Sequence, residues 1–395
     1  MQFILKMVAL EYIQKHMEIL GFCPTEDGSS KFITIVTRVI VVWICFGMAL
    51  IPSNYYVFTH TEDPEAIINS LIPILGFVLV LLSYITFVFE GHHVVHLFVC
   101  LRTLVKRRSK SRSMFMYADA ERKSYLVTKW PPRVTCIDFS VNSVIIAGHQ
   151  ILMDYIQGDI DPKHWTLTYQ LSFPFDQHTY FGFLLVNILQ NINVWIYFII
   201  LTLVIGYFLS ITFYLEAICD DFASVIADLD NSVTTGYDAM ALKLILAIQL
   251  QKNVMESFKE LVKIVTGTIF VHVIFDTIFI SATFFQLEST VVNFDTKLVM
   301  AIFASLVAVL SLLPYCYYAS SITLKIQNMA YVVFESRWYE LPVELQKNMK
   351  PIIACAQVKR TVNGYGLFNC DLEGFMKIIK TSLSYYVMFR SFSTR

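Results

Sequence analysis

Charge is scarce in this chain: Asp, Glu, Lys and Arg make up 15% of 395 residues, while 56% are apolar and 15% aromatic. With a mean hydropathy of +0.58, the apolar share exceeds what a water-soluble domain buries, so the solvent is mostly lipid. No excess of either sign is present, with 30 basic against 31 acidic residues, which leaves no basic field to attract nucleic acid. Cysteine is present without pattern. Cys23, Cys45, Cys100, Cys136, Cys219, Cys316, Cys355 and Cys370 show neither CxxC spacing nor tight clustering. A disulfide scaffold and a zinc site are both excluded, and reduced thiols are expected. There is no GxSxG elbow, P-loop, HExxH helix or complete GxGxxG, and Gly364 and Gly366 mark only a turn. Neither an enzyme nor a cofactor is therefore expected. No internal repeat appears either, which argues against a transporter built from repeated halves. At the amino terminus Lys6, Glu11, Lys15 and Glu18 interrupt the apolar residues before a signal-peptide core forms. Membrane insertion is expected to begin later.

About 20 predominantly apolar residues cross a bilayer as a helix. Seven windows are read as spans: 32–58, 66–89 with Pro73 inside, 134–156, 180–215, 264–285, 297–320 and 372–392. The third is diluted by Asp138, Asn142, His149 and Gln150, and so should face protein or a cavity. The fourth is longer than a bilayer requires and leads into Glu216, Asp220, Asp221, Asp228 and Asp230, as a helix continuing into the cytoplasm. An amphipathic helical stretch, 240–263, precedes the fifth. The chain thus divides into a cytoplasmic amino terminus (1–31), six helices (32–320), a soluble-looking segment (321–370) and a last helix (371–392).

Loops orient the helices, because Lys and Arg accumulate on the cytoplasmic side. Arg102, Lys106, Arg107, Arg108, Lys110 and Arg112 lie between spans two and three, whereas the preceding loop carries Glu62, Asp63 and Glu65. The expectation is an all-α membrane protein with its amino terminus inside and its carboxyl terminus outside. That topology is inverted relative to a G-protein-coupled receptor.

The last helix is a poor lipid-facing span. At steps of four and three, Lys377, Thr381, Ser384, Met388, Ser391 and Arg395 share a stripe, and the opposite face carries Ile379, Leu383, Tyr386 and Phe389. Two readings stand side by side. Ser and Thr can hydrogen-bond across a helix interface. Alternatively, stripes from several subunits surround water, with Met388 an apolar ring that closes by dewetting and Ser391 a polar ring further out.

The carboxyl-terminal third resembles the insect odorant receptor family. YVVFESRWYELPVELQKNMKPIIACAQ (331–357) is similar to its Trp-Tyr-Glu-Leu-Pro segment and cytoplasmic anchor helix. GYGLFNCDLEGFMKIIKTSLSYYVMFRSF (364–392) resembles its pore-helix ending. The resemblance implies a heterotetrameric, non-selective cation channel in a sensory neuron's plasma membrane, in which an odorant-binding subunit assembles with a shared co-receptor subunit. It places the gate at Met388, with Ser391, Ser384 and Thr381 along the pore. It puts a small volatile ligand in the outer half of the bundle, near Ile72, Leu75, Leu79, Ile146, Ala147, Gln150, Phe183, Asn187, Gln190, Leu298, Ile302 and Phe303. Each of these positions has ordinary helix packing as its plainer role. Asn187 and Gln190 stand out because polar groups at that depth need partners. A homomeric gustatory receptor channel is the neighbouring alternative.

Three further groups are notable. His272 and Asp276, four apart on the fifth span, form a buried hydrogen-bonded pair or a proton or ion site, and the pair is the simpler reading. His92, His93 and His96 are read as interfacial. The acidic group 220–230 is read as a solvated face, with Lys359 and Arg360 as its alternative partners.

Overall fold

Every one of the seven apolar windows is helical, and most of the helices run on past the membrane length. The computed structural model describes residues 8–24, 31–59, 64–108, 113–157, 165, 167, 171–173, 175–177, 179–230, 236–291 and 296–393. After the short helix α1 (Val8–Ile19), the first window is α2 (Lys31–Cys45), a π-helical turn (Phe46–Leu50) and α3 (Ile51–Thr59). The irregularity has a chemical cause. Pro52 has no N–H to give to the Met48 carbonyl four residues back, and its ring crowds that oxygen, so the α-helical ladder widens there. Next come α4 (Pro64–Phe89) and α5 (Gly91–Arg108), which meet at a 67° bend. A Cβ on Gly91 would sit 2.7 Å from the Phe22 carbonyl oxygen, so only glycine lets the amino-terminal segment pack into that bend.

Four long helices form the body: α6 (Met114–Gln157), α7 (Tyr180–Asp230), α8 (Tyr237–Val291) and α9 (Thr296–Glu335). At 1.5 Å per residue the longest two reach roughly 77 and 83 Å, far beyond a hydrocarbon core of about 30 Å. The third window therefore belongs to a helix that starts at Met114, well before residue 134, and runs through Pro131 and Pro132. By length and apolarity, three stretches among the described residues qualify as membrane-crossing: Ile33–Thr59, Tyr180–Leu229 and Tyr237–Phe285. Pro73–Phe89 with Gly91–Arg108 makes a fourth if the bent pair counts as one.

The centre is α7. From Ile200 to Leu229 it is buried almost all round, with Tyr207, Phe208, Tyr214 and Phe222 packed against Phe258 and Leu261 of α8 and Tyr315, Ala319 and Ile322 of α9. A helix apolar on every side belongs in the middle of a bundle. A smaller apolar cluster lies apart from this core: Ala49, Leu50, Phe77, Cys136, Val194 and Phe198, drawn from α2–α3, α4, α6 and α7.

The segment between α9 and the last helix is α10 (Val343–Gln357) and a hairpin of β1 (Asn363–Gly364) and β2 (Phe368–Asn369). Its tip takes left-handed backbone at Tyr365 (φ 51°) and Gly366 (φ 75°), the strand reversal that the Asn-Gly and Gly-Leu punctuation announces. Asp371 then caps α11 (Leu372–Ser393), its carboxylate accepting the Gly374 N–H at 2.7 Å.

Candidate functional site

The last helix sits at the margin of the bundle. α11 packs on α8 through Ile378 and Ser382, both buried, and Tyr386, half-buried. Its packed face is thus turned by about one position from the Ile379–Leu383 ridge, and Leu383 is 43% exposed. The reason is a polar one. Ser281 of α8 donates to the Ser382 carbonyl at 2.9 Å, and a short, small residue must face α8 for that approach. Further along, Tyr386 donates to Glu288 at 2.7 Å and Arg390 pairs with the same carboxylate at 3.1 Å.

The stripe lies on the other side. Lys377, Thr381, Ser384, Met388 and Ser391 are all exposed. Thr381 donates to the Lys377 carbonyl at 2.9 Å, Ser384 to Lys380 at 3.1 Å and Ser391 to Met388 at 2.7 Å. Each hydroxyl donor bonds to its own helix, and the oxygen lone pairs point away from it. Thr381 and Ser384 therefore bridge to no other helix among the described residues. Lys377 is paired with Glu373 at 2.8 Å on the exposed face. Arg395 and the Phe389 side chain lie outside the described residues.

The outer-half positions divide. Phe183, Asn187 and Gln190 of α7 and Leu79 of α4 are buried, while Leu75, Ala147 and Gln150 are half-buried. The side chains of Ile72, Ile146, Leu298 and Phe303 lie outside the described residues. Ile302 does not join the buried set. With Leu306 and Leu310 it forms an outward row at spacing four, 46%, 55% and 57% exposed, the pattern of a lipid-facing ridge. Over Phe183 sits Trp165, ring centroids 4.8 Å apart, its indole N–H donating to Asp154 at 2.5 Å. Asn187 donates to the Phe183 carbonyl at 2.9 Å.

Two side chains here, Asn193 buried and Asn191 half-buried, were not singled out from sequence. Asn193 donates to the Met48 carbonyl at 3.3 Å, the oxygen that Pro52 leaves without its usual donor. Asn191 donates to the Asn187 carbonyl at 2.8 Å and to Ser143 at 3.0 Å. Pro52 is the signal that could have pointed to the first. Its partner, 145 residues away, carries no mark in the sequence.

Elsewhere the expectations meet a mixed outcome. His272 and Asp276 are a buried pair at 3.2 Å, with the Tyr315 ring 5.4 Å from the imidazole. The acidic group is only in part a solvated face. Asp221 is fully buried, accepting two bonds from Arg108 (2.7 and 2.6 Å) and one from Tyr117 (2.8 Å). Asp220 pairs with Lys325 at 2.6 Å, and Glu216 accepts from Ser321 at 2.5 Å. A charge at a helix-packed position must be paired to remain there, so α5 and α9 supply the cations in place of Lys359 and Arg360. Burial, with Asp221 alongside, pushes the Tyr117 hydroxyl well above its ordinary range, so it serves as a donor. His93 and His96 line a cleft of about 740 Å³ between α5 and α8, bonded to Lys263 and Glu260. The seven cysteines in the described residues are free, and burial raises Cys23 to about 12, which keeps it a thiol.

A family model described as 7tm Odorant receptor matches residues 63–383. Odorant receptor 33a of Drosophila melanogaster is 22% identical over 100 residues, which are 25% of this chain and 26% of that receptor. The alignment thus spans about a quarter of that relative's length. The insect olfactory receptor OR5 of Machilis hrabei, solved in complex with eugenol, superposes with a TM-score of 0.76 at 12% identity, over 98% of this chain and 99% of that one. A second structure of the same receptor gives 0.72 at 12% identity, over 97% and 98%. The likeness extends over the whole fold.

Proposed function

The chain belongs to the 7tm odorant receptor family, and from that premise we propose that it is the ligand-tuned subunit of an odorant-gated, non-selective cation channel completed by a shared co-receptor subunit. The family is one of receptors and not of enzymes. In this reading the chain crosses the plasma membrane of a sensory dendrite seven times, amino terminus inside and carboxyl terminus outside. The basic end of α5, Lys106, Arg107 and Arg108, supports that orientation.

The observation that carries the reading is the exposed stripe on α11. Its hydroxyls are satisfied by their own helix and turn oxygen lone pairs outward. Four such helices around an axis would make a path lined by oxygen atoms, a suitable surface for a partly hydrated cation. Met388, 42% exposed on the same stripe, is the apolar ring that closes it, with Ser391 outside and Ser384 and Thr381 inside. The ligand site is the outer-half region of Leu79, Phe183, Asn187 and Gln190, bordered by Leu75, Ala147 and Gln150. Buried aromatic and aliphatic walls with a few amides suit a small volatile molecule.

Co-expression tests the assignment. Cells carrying this chain together with an odorant co-receptor should give odorant-evoked cation current, and cells carrying this chain alone should give none. Current of equal size from the chain alone would remove the co-receptor from the account.

A further inference from the structure

We propose that the outer-half site prefers a ligand that donates a hydrogen bond, a small alcohol or phenol, received by the amide oxygen of Asn193. This rests on the ligand-site reading above and names the chemical class that the site takes.

Pro52 sets the local geometry. Its missing N–H leaves the Met48 carbonyl in the π-helical turn to be met from outside the helix, and the Asn193 side chain meets it at 3.3 Å. A backbone carbonyl only accepts, so the atom of Asn193 facing Met48 must be its nitrogen. The orientation of the amide is thereby fixed, and its oxygen points elsewhere. That oxygen is buried and meets no donor among the described residues, on a side chain that is 1% exposed.

Asn191 repeats the logic. Both of its donor bonds are used, on the Asn187 carbonyl and on Ser143, and the first is again a backbone oxygen that dictates the flip. Its amide oxygen is also buried without a donor among the described residues. Two residues apart on α7, the two amides point to nearly opposite sides, Asn191 toward Ser143 of α6 and Asn193 toward the Met48 turn, so the site is built on Asn193 alone. Beside Met48 stand Ala49, Leu50, Phe77 and Phe198, an apolar wall separate from the main core.

Buried acceptors without donors are unfavourable, and nearby apolar groups cannot relieve them. A ligand hydroxyl can. An ether, ester or ketone of the same size brings only further acceptors, and a hydrocarbon brings nothing. The surrounding apolar wall sets a preference for a hydroxyl attached to a short aliphatic or aromatic body.

Matched pairs read this directly. On cells expressing the wild-type chain with the co-receptor, primary alcohols and phenols are compared with their own methyl ethers. Half-activating concentrations about tenfold lower for the hydroxyl compounds are expected, as one hydrogen bond to a buried acceptor allows. Asn193→Leu should erase that difference while the ether response persists. Equal potency within the wild-type pairs overturns the proposal, whether or not any variant reaches the surface. A hydroxyl preference that survives in Asn193→Leu also overturns it. Failure of the underlying site looks different: Phe183→Ala and Asn187→Leu would then alter neither potency nor ranking for any compound.

Discussion

The Ser281 hydroxyl, on α8, shares its one hydrogen between the Thr277 carbonyl of its own helix at 2.7 Å and the main-chain oxygen of Ser382, in the middle of α11, at 2.9 Å. Ser281 and Ser382 are both fully buried. Together with the Tyr386–Glu288 bond further along, it fixes the helix with the exposed polar stripe to the rest of the bundle at two points. Motion of α8 therefore carries α11 with it, and α8 in turn packs on α7, where the outer-half amides lie.

Ser281→Ala removes one of those two points. Loss of a buried hydrogen bond of about 1 kcal/mol should shift the half-activating odorant concentration roughly fivefold without changing the amount of receptor at the surface. Concentration–response curves and surface labelling measure the two quantities. An unshifted curve would mean that this bond takes no part in opening.

Met388→Ala should raise the current that flows without odorant, because a smaller apolar ring dewets less completely. Whole-cell recording of basal current, blocked by a general cation-channel blocker, gives the readout. If leak and odorant response both stay at wild-type levels, the constriction lies at another residue.

Replacing Asn187 or Gln190 with Leu should reorder the odorants to which the receptor responds while leaving assembly with the co-receptor intact. An odorant panel on each variant, with co-purification as the assembly control, decides it. Identical rankings would move the ligand site away from the outer half of α7.

The Arg108–Asp221–Tyr117 cluster joins α5, α6 and α7. Asp221→Ala leaves a mostly buried guanidinium without its anion, at about 3–5 kcal/mol, and should abolish surface expression. The pair Arg108→Met with Asp221→Leu removes both charges and should recover much of it. Thermal unfolding of detergent-solubilised receptor separates the two. A double variant no better than the single would show that the pair does more than neutralise itself.

These features differ in how far the sequence disclosed them. The windows that became α2–α3, α7 and α8 were legible because lipid demands long apolar runs, and the spacing of His272 and Asp276 on a helix forces them together. The helical start of α6 was not legible, because residues 114–133 carry six charged side chains and no apolar run of membrane length. Tertiary packing keeps that helix going, with Ser124 donating to Ser210 and Thr128 against Gly206 of α7. Asp221 was misread for a related reason. Its neighbours in sequence are acidic, but its partner Arg108 is 113 residues away on α5. On α11 the stripe was visible, while the packed face was misjudged by one position, since polarity alone does not reveal that Ser382 is the residue tied to α8.

In the proposed channel the Thr381–Ser391 stripe faces water on a path shared between subunits. Cysteine scanning with a membrane-impermeant thiol reagent applied outside the cell reads that exposure. Ser391→Cys should lose odorant-evoked current on exposure to the reagent at all times, Ser384→Cys only while odorant holds the channel open, and buried Ile378→Cys not at all. Protection of both stripe positions, or equal modification of all three, would contradict a pore built on this face of α11.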